Sequence, residues 1–212
     1  MSILIGTHTR VLVQGITGHE GSRAAREMHA YGTTVVAGVT PGKGGQVIEP
    51  DIPVYDSVAE ALAAHPDTNL SLVVVPPPFA ADAIIEALWH GIPLINVLTE
   101  KVPVADVARV LGFARVRGAR IVGPSSVGMI APGKAKVGAI GSSDVAARVF
   151  TPGPVGLISK SGGMTAELAR ILTEAGLGQS TALGIGGDIL LGTDIVDCAR
   201  LFEEDAETRV LV

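Results

Sequence analysis

Short, uniformly apolar runs alternate with amphipathic segments through the first 124 residues. Residues 11–14, 33–39, 70–75, 93–98 and 119–122 read as strands, and residues 21–30, 57–64, 79–90 and 104–117 as helices. A strand that is apolar on both faces needs cover on both, and strands joined through helices run parallel. The alternation predicts a doubly wound parallel α/β sheet over residues 1–124. Residues 125–154 break the pattern with Gly128, Pro132, Gly133, Gly138, Gly141, Pro152, Gly153 and Pro154, and read as an ordered linker. A second α/β pattern occupies residues 155–212, with strands at 155–159, 180–185 and 209–212 and helices at 163–175 and 194–204. Its third strand has no helix after it. The region therefore reads as the N-terminal part of a domain that more chain or a partner completes.

Charge and composition narrow the function classes. The 16 Lys+Arg are scattered against 21 Asp+Glu, for a net charge of −5, without the basic patch that nucleic acid needs. No apolar run approaches the roughly 20 residues of a membrane span, and the start lacks a signal-peptide layout. A single cysteine, Cys198, forms no internal disulfide and reads as a small buried residue. These features predict a soluble, cytoplasmic protein without nucleic-acid or membrane partners. The five histidines are dispersed and none has a partner at metal-ligand spacing, so no metal site is expected.

The chemistry concentrates at strand–loop–helix junctions. Gly15-Ile16-Thr17-Gly18-His19-Glu20-Gly21 follows the first strand and opens a helix. Glycines permit a tight turn, and a helix N-terminus offers free N–H groups to a phosphate. The spacing is not that of the dinucleotide fingerprint, and the second strand lacks the acid that binds a ribose diol. It ends Val39-Thr40-Pro41-Gly42-Lys43-Gly44-Gly45. Lys43 suits a phosphate, which favours coenzyme A or NADP over NAD; the competing reading is a solvated loop lysine. Residues 75–79, with Pro76, Pro77 and Pro78, and residues 98–100 leave the carboxyl ends of later strands, where α/β sheets bind ligands. The prolines would form a rigid apolar wall or simply start a helix. In the second pattern, Ser159-Lys160-Ser161-Gly162-Gly163 joins strand to helix, either as an anion loop or as a helix capped by Ser161. Gly184-Ile185-Gly186-Gly187-Asp188 follows the next strand.

These strings resemble a known family. Met1-Ser2-Ile3-Leu4-Ile5, Gln14-Gly15-Ile16-Thr17-Gly18, Tyr31-Gly32-Thr33, the Lys43 loop, the Asp188 loop and Leu201-Phe202-Glu203 are similar, in order, to the α subunit of succinyl-CoA synthetase. The resemblance implies a Rossmann-like CoA-binding domain followed by an incomplete flavodoxin-like ligase domain. It implies a β-subunit partner carrying ATP or GTP with Mg²⁺, a hetero-oligomer, and a place in the tricarboxylic acid cycle. The implied reaction joins a small carboxylic acid to coenzyme A through an acyl phosphate and a phosphohistidine. Matched by motif, Thr17, Gly18, His19 and Glu20 would lie on CoA, with Lys43 at its phosphates and Leu98, Thr99 and Glu100 as a third CoA segment. Ser159, Lys160, Ser161, Gly162 and Gly163 match the loop facing the phosphorylated histidine.

The sequence departs from the family at three places. No histidine here matches the phosphohistidine, so no catalytic residue is assigned to this chain and residues 1–212 alone are expected to be inactive. The family's G-P-N-C-P-G is Gly123-Pro124-Ser125-Ser126-Val127-Gly128. Ala166 replaces a tyrosine that contacts the acid, which would open the acid pocket. Ser161-Gly162-Gly163-Met164 and the Gly123–Gly128 string look closer to the citrate-using relatives, ATP-citrate lyase and citryl-CoA synthetase. A citrate- or malate-CoA ligase subunit is the first alternative, and a non-catalytic CoA- or NADP-binding regulatory module the second.

Overall fold

The computed structural model describes residues 2–141 and 143–212. Met1, the first residue of the resemblance, and Ser142, in the expected linker, lie outside the described residues. The elements run β1 (Arg10–Gln14), α1 (His19–Tyr31), β2 (Thr34–Val39), β3 (Val47–Ile48), β4 (Ile52–Tyr55), α2 (Val58–Ala64), β5 (Leu70–Val73), α3 (Pro77–Trp89), β6 (Leu94–Val97), α4 (Val104–Arg117) and β7 (Arg120–Val122). There follow β8 (Gly128–Ala131), β9 (Ala135–Gly138), α5 (Ser143–Val149), β10 (Pro152–Ser159), α6 (Gly162–Glu174), β11 (Gln179–Gly184), α7 (Ile195–Glu203) and β12 (Val210–Leu211).

The first sheet has the order β3-β4-β2-β1-β5-β6-β7. All its pairings are parallel except β3 with β4 at the edge. Strand order reverses between β1 and β5, and the loops after these two strands therefore diverge and leave a crevice. Alternate residues of β1 serve two cores. Leu12 packs with Ile84 and Leu88 of α3 and Val110 of α4. Val11 and Val13 pack with Ala24, Ala25 and Met28 of α1, and this cluster continues into Met129, Val137, Leu183 and Phe202. The second sheet thus helps cover one face of the first. The expectation of helices on both faces holds for α3 and α4 on one side; on the other, α1 shares the task with a sheet.

The second sheet has the order β12-β10-β11-β8-β9. Its core is β10 flanked by parallel β11 and β12. The stretch expected as a linker is instead part of this sheet. β8 pairs antiparallel with β11 (Leu183 opposite Met129) and β9 pairs antiparallel with β8. Glycine makes the hairpin possible: Gly128 faces Gly138 across the ladder, Gly128 has φ +115°, and a Cβ there would strike the Val137 carbonyl. Helix ends follow local rules. Ser57 caps α2 through the Glu60 amide, Asp194 and Asp197 form a reciprocal cap on α7, and α3 starts on Pro77, earlier than expected because proline fits a first helical turn. Among the described residues no helix is long and apolar enough to cross a membrane.

Candidate functional site

A cleft of about 660 Å³ opens at the carboxyl ends of β1, β5 and β6, where the first sheet meets the second. Its walls are Gly18, His19, Glu20 and Gly21 of the β1–α1 turn, Val74, Val75 and Pro76 after β5, and Leu98, Thr99 and Glu100 after β6. Ser125, Ser126, Val127 and Ala139 come from the segment around the β8–β9 hairpin, and Gly162 opens α6. A second recess of about 560 Å³ adjoins it, sharing Gly18, Val74, Val75 and Pro76. Thr17, Thr40, Pro41 and Phe79 line that recess, with Asp82 and Glu86 from α3.

Glycines shape the turn, but not all of them face a ligand. Gly15 sits at φ +85° with its Cβ direction 2.6 Å from the Val74 carbonyl oxygen. Gly21 is pressed onto the Gly15 carbonyl. Both glycines are consumed by close approach of protein backbone. Gly18 lines both recesses, although a Cβ there would also lie close to the Gly15 carbonyl oxygen, at 3.3 Å. As the N-cap of α1 it has no side chain to cap the helix, so the N–H groups of the first turn point into the cleft for an anion. The start of α3 cannot do this, because Pro77 and Pro78 carry no N–H. Of the proline run only Pro76 lines the two recesses, as part of their apolar wall.

The N-terminus of α6 meets the same cleft from the other side. Ser161 caps it by accepting from the Met164 amide at 3.4 Å, and the Ser159 hydroxyl donates to the Ser161 carbonyl at 3.0 Å. A Cβ on Gly163 would meet open space. Two helix N-termini, each with a positive dipole end, therefore border one cavity. Lys160 is exposed, and Lys43 lies in the exposed turn after β2, outside both linings. The Lys43 amide donates to the Thr40 carbonyl at 3.0 Å, and the Thr17 hydroxyl donates to Thr40 Oγ1 at 3.2 Å. The lysine turn is thus tied to the second recess.

The segment between β7 and β8 is the part that sequence reasoning left out of the site. Ser126 is buried; its hydroxyl donates to the Gly184 carbonyl at 2.6 Å and accepts from Asn96 Nδ2 at 2.8 Å and the Gly128 amide at 3.1 Å. Ser125, at φ +58°, donates to Asp188 Oδ1 at 2.6 Å. These bonds join the first sheet to the β11 loop beneath the cleft. The signal available was the Gly123-Pro124-Ser125-Ser126-Val127-Gly128 string, read only as a departure. Ala166 stands apart: it packs against the apolar cluster of Ile130, Phe150 and Leu157 and lines neither recess. Cys198 has no accessible surface, and burial pushes its thiol up to about 11, so it is unreactive at neutral pH. Among the described residues no group of three or more His, Cys, Asp or Glu could hold a metal.

Comparison with known proteins places this geometry. The CoA binding domain family matches residues 7–101, and the CoA-ligase family matches residues 158–212. The chain is 47% identical over 212 residues to succinate–CoA ligase [ADP-forming] subunit alpha 2 of Archaeoglobus fulgidus, covering 100% of this chain and 71% of that protein. It is 47% identical over 214 residues to the corresponding alpha subunit of Aquifex aeolicus, covering 100% of this chain and 68% of that protein. Among solved structures, ATP citrate lyase from Methanothrix soehngenii, in complex with citrate and coenzyme A, superposes with a TM-score of 0.87 at 23% identity, over 99% of this chain and 36% of that one. An acetyl-coenzyme A synthetase from Ca. Korarchaeum cryptofilum superposes with a TM-score of 0.75 at 21% identity, over 96% of this chain and 43% of that one. At these identities the two structures speak for the fold.

Proposed function

The chain belongs to the succinate–CoA ligase α-subunit family, and from that premise we propose that its cleft holds CoA in a nucleotide-dependent carboxylate–CoA ligase. The observation that carries this reading is the convergence of the α1 and α6 N-termini on one cavity. CoA is long and carries phosphates at one end and a thiol at the other. Two adjoining recesses with apolar walls and an uncapped helix N-terminus suit such a molecule.

In this reading the first-turn N–H groups of His19, Glu20 and Gly21 bind phosphate oxygens beside Gly18, whose own N–H donates to the Gly15 carbonyl at 3.1 Å; Thr17 borders the second recess, and Lys43 adds charge from its turn. Val74, Val75, Pro76 and Leu98 exclude water along the apolar stretch, and Thr99 and Glu100 close the far side. CoA supplies the thiol that ends in a thioester. Carboxylic acid, CoA and nucleoside triphosphate are converted to acyl-CoA, nucleoside diphosphate and phosphate. Ser159, Lys160, Ser161, Gly162 and Gly163 would face the phosphohistidine that links the two halves of the reaction, without themselves being phosphorylated. ATP or GTP with Mg²⁺ belongs to the β subunit. Residues 1–124 form the CoA-binding domain, and we assign the β8–β9 hairpin to the ligase domain with residues 155–212. Succinate is the acid we assign, after the names of the relatives, and the setting is cytoplasmic.

Two experiments test this. Titration calorimetry should show CoA binding, weakened about tenfold by Lys43→Ala through loss of one charged hydrogen bond; tight NAD binding without a CoA signal would overturn the reading. With the β subunit, a ligation assay across succinate, malate and citrate should favour succinate, and a preference for citrate would reassign the acid. All five histidines, at positions 8, 19, 29, 65 and 90, precede β6. After incubation with nucleoside triphosphate, Mg²⁺ and β subunit, residues 1–212 should therefore carry no acid-labile phosphate.

A further inference from the structure

The charged side chains of α1 form a line from a buried contact to the cleft. Lys136 Nζ of β9 donates to Glu27 Oε2 at 2.9 Å. Glu27 Oε1 lies 3.9 Å from Arg23 Nη1, and Arg23 Nη2 donates to Glu20 Oε2 at 2.5 Å. Glu20 Oε1 is 3.0 Å from His19 Nδ1. Residues 20, 23 and 27 share one helix face by their spacing. Glu20 is the acidic residue of the first turn, and it lines the cleft. A carboxylate there satisfies the helix dipole in the free protein. It also repels any anion that binds the same N–H groups. Arg23 stands one turn further on, so bonding to it draws the Glu20 carboxylate towards the helix middle. The Arg23 guanidinium beside Glu20 holds its carboxyl below the usual range, as such a pairing should. Glu27 in turn keeps Arg23 on this face.

The geometry points to Arg23 as a positioning residue for anion binding: it turns back and neutralises Glu20, so that the α1 N-terminus stays open to the phosphates of CoA. This rests on the reading of the cleft as the CoA site. It assigns no contact with CoA to Arg23 itself.

The test is a double-substitution cycle read by CoA titration of the chain, with thermal melting to confirm folding. Arg23→Gln should weaken CoA binding about fivefold, the effect of one charge at a helix end. Glu20→Gln alone should tighten it, and the double variant should return to within about twofold of the parent protein. The Arg23→Gln effect should shrink at high salt. If Arg23 merely supported the helix, the double variant would stay as weak as the single. Unchanged binding by Arg23→Gln, weaker binding by Glu20→Gln, or a double variant no better than the single overturns the inference while leaving the cleft reading intact. Absence of CoA binding by the parent protein overturns both.

Discussion

Glu27→Gln is expected to lower the stability of the fold by about 3 kcal/mol at pH 7, because it strands a buried charge. Lys136 has no accessible side-chain surface and Glu27 only 15%. Burial lowers the Lys136 pKa, and Glu27 opposes that shift through its hydrogen bond and charge. Without Glu27 the lysine pKa falls further. The sign of the pH dependence follows. An unfolded lysine titrates near about 10.4, so between the lowered folded pKa and that value the unfolded chain binds more protons. Stability therefore rises with pH through this window. The deficit of Glu27→Gln should be full where Lys136 is charged in both folded proteins, and should shrink as pH rises from its folded pKa in the variant to its higher folded pKa in the parent. Urea denaturation of both proteins at several pH values reads this directly. Adding Lys136→Met to Glu27→Gln should restore much of the loss, since an apolar side chain replaces the stranded charge. A deficit that ignores pH, or that Lys136→Met leaves untouched, would show that the pair is not the cause.

Gly21→Ala is the second large effect, and its sign runs against helix propensity. Within an exposed helix, alanine in place of glycine stabilises by about 1 kcal/mol. Here the new Cβ would meet the Gly15 carbonyl group and come within 3.0 Å of the Ile16 Cα. Backbone cannot yield as a flexible side chain can, so α1 must lift from the turn that follows β1. Overpacking of this kind costs about 3 kcal/mol. The first-turn N–H groups move with the helix, and CoA affinity should fall by more than tenfold, the factor that about 1.4 kcal/mol represents. Calorimetry and thermal melting of the same preparation check both parts. A variant that melts higher and still binds CoA would show that α1 is not pinned at Gly21.

Five strands of the first sheet were legible in the sequence because they are apolar on both faces, whereas the short β3 and β4 were not. β1, β2 and β5 fall within a few residues of the runs that predict them. The β8–β9 hairpin was not legible. Every residue of both strands is buried, so no alternation marks them, and the paired Gly128 and Gly138 carry no side chain to show a pattern. Lys136 added to the disguise, since a lysine in a glycine-rich stretch reads as solvated until Glu27 is seen opposite it. Within the cleft, Gly18, His19, Glu20, Leu98, Thr99, Glu100 and Gly162 were named from local signals, each next to a strand end or helix start. Ser125, Ser126 and Val127 escaped because their place depends on how the second sheet packs, which no local string records. The side that Ala166 presents depends on packing in the same way. A helical residue faces whatever its neighbours leave, and α6 turns this one into the apolar cluster.

One cluster of side chains, from Val11 and Met28 through Met129 to Phe202, belongs to both sheets at once. The cleft lies directly at the seam they share. Its opposing walls are consequently not two lobes that swing apart on a hinge; parting them would tear a continuous hydrophobic interior. The α1 and α6 termini are therefore anchored to one packed interior before any ligand arrives. A ligand then meets a preorganised mouth, and little of its binding free energy is diverted to closing one.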